Sequence, residues 1–217
     1  MSVVAGFAII VTEAVFSLWK KVHAINFGIY GVSKAGKTTL HHQLRTRGEV
    51  PNISKRTVGL HRATRKLVKI DGDAHTLKTA DVGGESKYWN EWMKDLRKRK
   101  VKYVIFLLDN RHLNGNNMEQ QIAWKFLVDL ICDNKWPGGK KKKSNDYPLA
   151  VGLWANKADL WAKGFTKDPK KHEIFDPFRY GMSLLNDKGI PTHQYIISAK
   201  TDSEMVYRGI MTMINDY

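Results

Sequence analysis

Apolar positions along the chain come in short blocks separated by polar, glycine-bearing stretches, and the blocks alternate between two periodicities. "AINFGIY" (24–30), "VKYVIFLLD" (101–109), "PLAVGLWAN" (148–156) and "HQYIIS" (193–198) are compact apolar runs suited to buried strands. "KTTLHHQLRTRG" (37–48) reads as a helix closed by Gly48. Trp89, Trp92, Met93 and Leu96 recur at helical spacing, and Met118, Ile122, Phe126, Leu130 and Ile131 mark a longer helix. "KLVKIDGDAHTLKTAD" (66–81) reads as an antiparallel hairpin of two strands around Asp71, Gly72 and Asp73. Asp176-Pro177 is a helix start, cap then first-turn proline, with Gly189 at the far end. Thr201 and Glu204 form a capping-box pattern before a last helix bearing Val206, Ile210, Met213 and Ile214.

Strands alternating with helices predict an α/β fold: a mostly parallel six-stranded sheet, one antiparallel edge strand, and helices on both faces. Ligands bind such sheets at the carboxyl ends of the strands, so the motifs there bear most on function.

The first strand runs into "GVSKAGKTT" (31–39), in which Gly31, Gly36, Lys37 and Thr38 fit the phosphate-loop spacing. Glycines let the loop through Ser33, Lys34 and Ala35 turn its N–H groups inward on phosphate oxygens, and the helix from Lys37 through Thr39 adds its positive end. Lys37 would reach the β- and γ-phosphates, and the Thr38 hydroxyl would take a position on Mg²⁺. The loop alone suits ATP as well as GTP. The hairpin ends in "DVGGE" (81–85), where Asp81 would hold Mg²⁺ through water and Gly84 would offer an N–H to a γ-phosphate. "NKAD" (156–159) follows another strand. The Asp159 carboxylate would accept the ring N–H and exocyclic amine of guanine, a donor pair adenine lacks. Lys157 would lie over the base and Asn156 would tie this loop to the phosphate loop. After the last strand, "SAK" brings Ser198, the Ala199 N–H for the guanine carbonyl, and Lys200 beside the ring.

Composition narrows the class further. A chain of 217 residues, 42% hydrophobic with seven Trp, suits one globular domain of ordinary size. The single Cys132 excludes an internal disulfide, and the eight His stand outside HExxH or paired Cys/His spacing, so no zinc site is expected. The formal charge of +15 concentrates at 61–69, 94–102 and in "GGKKKKSND" (138–146). Such clusters attract polyanions. Gly-Gly followed by four lysines reads as a flexible, solvated insertion rather than a site. No RNA-binding motif accompanies the basic clusters, so nucleic acid is not the expected partner.

Together, and in this order, the phosphate loop, "DVGG", "NKAD" and "SAK" make residues 24–217 resemble the small GTPases of the Ras superfamily. The chain is most similar to the Arf/Sar branch, which characteristically bears "DVGG". The resemblance implies a phosphate-loop GTPase fold and a switch between GDP and GTP with Mg²⁺. It also implies an effector, an exchange factor and an activating protein as partners. A threonine in the first switch loop then coordinates Mg²⁺. Thr57 of "KRTVGL" is its counterpart, with Thr46 and Thr64 as competitors. Catalytic roles would fall to Lys37, Thr57 and Glu85, but Glu85 stands where the family usually has a water-orienting glutamine. Glycine is absent at position 2, so the Arf-type myristoyl signal is missing.

Residues 1–23 form a separate N-terminal segment. Its apolar stretch lacks preceding basic residues, unlike a signal peptide. Residues 3–19 would span about 25 Å as a helix, short of a hydrocarbon core of about 30 Å, and contain Glu13. Thr12, Glu13, Ser17 and Lys20 form one narrow polar side, and Trp19 with Lys20-Lys21 suits the headgroup region. The expectation is an interfacial helix on an anionic membrane's cytoplasmic face. A helix packed on the domain's own core competes with it. Three functions therefore stand: a slow GTPase switch, a GTP-holding scaffold with little turnover, and a phosphate-loop kinase or ATPase in which "NKAD" is coincidental.

Overall fold

The computed structural model describes residues 24–46, 57, 59, 64–70, 73–111, 118–162 and 172–216. The N-terminal segment 1–23, Gly48, and the turn residues Asp71 and Gly72 lie outside them. Strands are β1 (Ala24–Tyr30), β2 (Thr64–Ile70), β3 (Asp73–Thr79), β4 (Tyr103–Leu108), β5 (Ala150–Ala155) and β6 (Thr192–Ile196). Helices are α1 (Lys37–Thr46), α2 (Trp89–Arg99), α3 (Met118–Cys132), α4 (Ala158–Trp161), α5 (Arg179–Asp187) and α6 (Ser203–Asn215).

The protein has an α/β fold in which β3, β1, β4, β5 and β6 form an all-parallel, five-strand array in that order. β2 pairs antiparallel with β3, Thr64 opposite Thr79 through Ile70 opposite Asp73. β4 and β5 are buried at every position, which requires cover on both faces and explains why both read as unbroken apolar runs. β6, with partly exposed residues on either side of its one fully buried position, is an edge. The chain moves from β1 to β3 on one side, then crosses to β4 on the other. That reversal leaves a crevice at the carboxyl end of β1, where the phosphate-loop sequence begins.

A charged cluster is built into the core beneath α2. Asp95 of α2 is fully buried and accepts from Tyr30 Oη at 2.7 Å and from Arg99 Nε and Nη2, both at 2.5 Å. Arg99 also donates to the Phe27 and Lys78 carbonyls at 2.9 and 3.2 Å. Burial, then the Asp95 charge, pushes the Tyr30 hydroxyl well above its ordinary range. The cluster pins α2 to β1 and β3.

Several local expectations are corrected. Asp73 belongs to β3 rather than to the turn, and α1 is described over Lys37–Thr46, its expected closure at Gly48 lying outside the described residues. Asp176-Pro177 does not start the helix. A 3₁₀ turn runs Glu173–Phe178, capped by His172 Nδ1, which accepts from Ile174 N at 3.1 Å, and α5 begins at Arg179. Thr201 is not the cap of α6: Asp202 accepts from Met205 N at 2.9 Å, while the Thr201 hydroxyl donates to Ser198 Oγ at 2.7 Å. Asp competes well with Thr at a cap, and one residue of slip frees Thr201 for the neighbouring loop.

The lysine-rich stretch is also not a flexible insertion. Lys135 and Lys141 bridge antiparallel, and Trp136 N donates to Lys140 O at 2.7 Å. Lys142 is buried, its ammonium donating to the Leu130 and Ile131 carbonyls at the end of α3 and lying 4.6 Å from the Trp136 ring centre. A cation on the free carbonyls of a helix end is favourable, and the aromatic face adds to it. Among the described residues no helix is long and apolar enough to cross a membrane.

Removing Asp95 would leave the Arg99 cation and the Tyr30 hydroxyl buried without it. Asp95→Ala is expected to cost about 3–5 kcal/mol, read as a lower urea midpoint at unchanged slope. A loss below ~1 kcal/mol would show that the ion pair does not organise α2.

Candidate functional site

The loop after β1 is held from inside and from outside. Lys37, the first residue of α1, is only 6% exposed, and its ammonium donates back to the Val32 carbonyl at 2.8 Å. Burial lowers its pKa to about 8, against the raising effect of Asp81. From outside, Arg111 Nη2 donates to the Ser33 carbonyl at 2.8 Å, and Asn156 Nδ2 donates to the Ala35 carbonyl at 2.9 Å. Gly36, at φ +99°, is what admits Asn156: a Cβ there would lie 2.2 Å from Nδ2. Lys34 is exposed at φ 66°.

Asn156 is the hinge pin of the site. Its other end, Oδ1, accepts from the Ala199 N–H at 2.9 Å, and its own carbonyl accepts from Trp161 Nε1 at 2.8 Å. The Ala199 N–H, expected to face a guanine carbonyl, donates here to Asn156. Ser198 Oγ donates to Asp159 at 2.6 Å and draws the two loops together. Between them lies a cavity of about 220 Å³ lined by Gly36, Thr39, Asn156, Lys157, Asp159, Leu160, Ser198 and Lys200. All but Leu160 are among the predicted nucleotide-binding residues. Ligand pockets commonly span roughly 300–1,000 Å³, so this cavity is smaller than a typical one.

The predicted metal residues also converge. Thr38 and Thr57 each donate to Asp81 Oδ2 at 2.9 Å, and their hydroxyl oxygens lie 2.9 Å apart. Of the three candidate threonines Thr57 is the one beside Asp81: Thr46 bonds His42 in α1, and Thr64 lies in β2. Asp81 Oδ1 is buried without a hydrogen-bond partner among the described residues. An orphaned carboxylate oxygen beside two hydroxyls fits a hard cation that completes its shell with water or phosphate oxygens, as Mg²⁺ does. Among the described residues no group of three or more His, Cys, Asp or Glu gathers to hold a metal.

Gly84 lies against the phosphate loop: a Cβ on it would be 2.4 Å from Lys37 Nζ and 2.5 Å from Ser33 N. Two tryptophans that the sequence marked only as helix core hold this turn. Trp92 Nε1 donates to the Gly83 carbonyl at 2.9 Å, and Trp89 Nε1 to Gly84 at 3.4 Å. Gly83 N donates to Gly59 O at 2.8 Å, linking the turn to the chain near Thr57. Glu85 follows, ion-paired with Lys87 at 2.9 Å and partly exposed.

A second group was missed by motif reading. Asp109, fully buried just past β4, accepts from Arg111 Nε at 2.8 Å and from Lys157 Nζ at 3.2 Å. Its pKa stays below the usual carboxylate range because these cations outweigh its burial. Gln120 accepts from the Asp109 N–H at 2.9 Å. Through Asp109 and Arg111, Lys157 is coupled to Ser33 of the loop after β1. The available signal was a carboxylate directly after a buried strand, two residues from an arginine.

No protein-family model matches this chain, and no curated protein sequence matches it.

The depressed Lys37 pKa has a signed consequence. The unfolded chain keeps its proton up to about 10.5, whereas the folded one sheds it above about 8. Below pH 8 the full cost of burying the cation is present, on the order of 3 kcal/mol, and it falls away as pH rises toward 10.5. Nucleotide-free Lys37→Met is therefore expected to exceed the parent's stability at pH 7, with the gap narrowing by pH 10 in urea unfolding. A gap independent of pH would mean that Lys37 is not buried as a cation.

Proposed function

We propose that this protein is a GTP-binding switch that hydrolyses GTP to GDP slowly, uses Mg²⁺, and works on a membrane surface. The observation that carries the reading is Asn156, whose two amide ends join the phosphate loop to the "SAK" loop beside Asp159. That arrangement supports phosphate recognition and base recognition by one ligand, so it favours a purine nucleotide over an isolated phosphate group. The carboxylate of Asp159 supports guanine over adenine, because it can pair with two donors that adenine does not present together. Five parallel strands with β2 antiparallel to β3 support the finer assignment to the six-stranded small-GTPase arrangement. The apolar segment preceding residue 24 supports peripheral attachment to an anionic membrane, and the effector, exchange factor and activating protein belong to the same reading.

In this account Lys37 holds the β- and γ-phosphate oxygens, and inward N–H groups of residues 33–38 fix the rest of the chain of phosphates. Thr38, Thr57 and Asp81 would hold Mg²⁺, which neutralises charge on those oxygens when bound. Water attacks the γ-phosphorus as the bond to the β-phosphate oxygen breaks. Asp159 fixes the base, Asp109 and Arg111 keep the two loops in register, and Gly84 allows close approach to the γ-phosphate. Glu85 opposes turnover: an ionised carboxylate only accepts hydrogen bonds and sets negative charge beside oxygens that gain it. Its ion pair with Lys87 favours a second reading, a GTP-dependent scaffold with little hydrolysis.

Asp159→Asn replaces an acceptor pair by a mixed donor and acceptor. It is expected to weaken GTP and GDP binding by roughly tenfold to a thousandfold and to shift preference toward xanthine nucleotides. Unchanged guanine affinity would remove the base assignment.

Glu85→Gln restores a side chain that both donates and accepts. Single-turnover GTP hydrolysis should rise, by about tenfold or more, with little change in GTP affinity. A slower variant would make Glu85 a working catalytic residue.

A further inference from the structure

Because β1, β4, β5 and β6 run parallel, the nucleotide-type loops leave one edge of the sheet and the chain enters at the other. At the entry edge Lys102 N donates to Asn26 O at 2.9 Å, and Leu149 N donates to Lys102 O at 2.6 Å. The beginnings of β1, β4 and β5 therefore sit side by side. The lysine-rich hairpin leads straight into β5, and Lys102 Nζ fastens it through the Asn145 carbonyl at 3.0 Å. Ala24, the first described residue, begins β1 at this same end of the sheet, and the apolar segment 2–22 precedes it in sequence.

The hairpin has one lysine turned in and the others turned out. Lys142 is locked onto the end of α3, and the remaining backbone is closed by the Lys135–Lys141 bridge and by Gly139 N on Trp136 O at 2.9 Å. This leaves Lys135, Lys140, Lys141 and Lys143 exposed, with Lys100 exposed beside them. None of the five has an ion-pair partner among the described residues. The hairpin's acids are Asp133 and Asp146, and Asp146 already accepts from Lys143 N at 3.0 Å and Trp136 Nε1 at 3.5 Å. Trp136 is buried and presents no ring to solvent, so the face lacks the exposed stacking platform that single-stranded nucleic acid uses.

We propose that this lysine hairpin is a preformed docking surface for anionic lipid headgroups, holding the entry edge of the sheet against the membrane beside the apolar segment 2–22. The inference deepens the membrane part of the reading above and does not require guanine binding. An ordered backbone matters here, because the lysines reach the surface together without first paying the entropy of forming the loop. The opposite edge, with the phosphate loop and "NKAD", then faces away from the lipid and toward soluble partners.

The test uses the full chain and vesicles of phosphatidylcholine, with or without about one-third phosphatidylserine. With each basic residue near such a surface contributing about fivefold, K140Q/K141Q/K143Q should lower affinity for the anionic vesicles on the order of a hundredfold. K125Q/R179Q/R208Q, an equal charge loss on ion-paired sites of α3, α5 and α6, should change it by no more than a few-fold. The proposal is overturned if the hairpin variant binds like the parent, or if the control loses as much. It is equally overturned if the parent binds RNA more tightly than vesicles with the same lysine dependence. Guanine nucleotide affinity, measured on the same samples, judges the nucleotide reading separately.

Discussion

The Asn156 amide is the contact on which the candidate site depends. A primary amide can donate and accept at once, so one side chain fixes two loops that follow different strands. Its donor end reaches Ala35 O and its acceptor end takes Ala199 N, both at 2.9 Å with the side chain 2% exposed. Were the amide shortened to a methyl, two backbone groups would be left unpaired in the interior, at about 1–3 kcal/mol each. The contact also dictates sequence at a distance, because any side chain at position 36 would collide with it. A glycine that phosphate-loop chemistry wants is thus required a second time by packing.

The rest of the site is arranged by hydrogen bonds from rigid elements rather than by the loops themselves. Trp92 and Trp89 reach from α2 to the Gly83 and Gly84 carbonyls, and α2 is in turn tied to β1 by Asp95, Arg99 and Tyr30. Asp109 and Gln120 do the same between β4 and α3. A buried indole, a partly buried one and a buried carboxylate with complete partners favour one arrangement of the turn over many. Thr57 and Gly84 are held by hydroxyl, backbone and steric contacts among the described residues.

Much of this was legible in the residues. Unbroken apolar runs identified β4 and β5 because both faces are covered, and the glycine and lysine spacing singled out residues 31–38 before any geometry. Thr38, Thr57 and Asp81 were named from three separate stretches and come within hydrogen-bonding distance of one another. What stayed hidden depends on long-range geometry. Nothing in "KKKK" distinguishes the buried Lys142 from its exposed neighbours; only the end of α3 and the Trp136 ring do. Helix starts slipped for a similar reason. His172 and Asp202 win the caps over Asp176 and Thr201 because of where adjacent loops arrive. The pairing of Ala199 N with Asn156 likewise joins residues 43 apart, beyond any local pattern.

The most direct test of the account is a competition titration of the unaltered chain with GTP and ATP in millimolar Mg²⁺. The account predicts GTP preferred by at least about a hundredfold, some 3 kcal/mol, because under the proposed reading Asp159 pairs with two donors that guanine presents together and adenine does not. It also predicts that removing Mg²⁺ with a chelator weakens GTP binding. Equal affinity for the two nucleotides would contradict it, and would leave the loop after β1 as a phosphate site without a base reader.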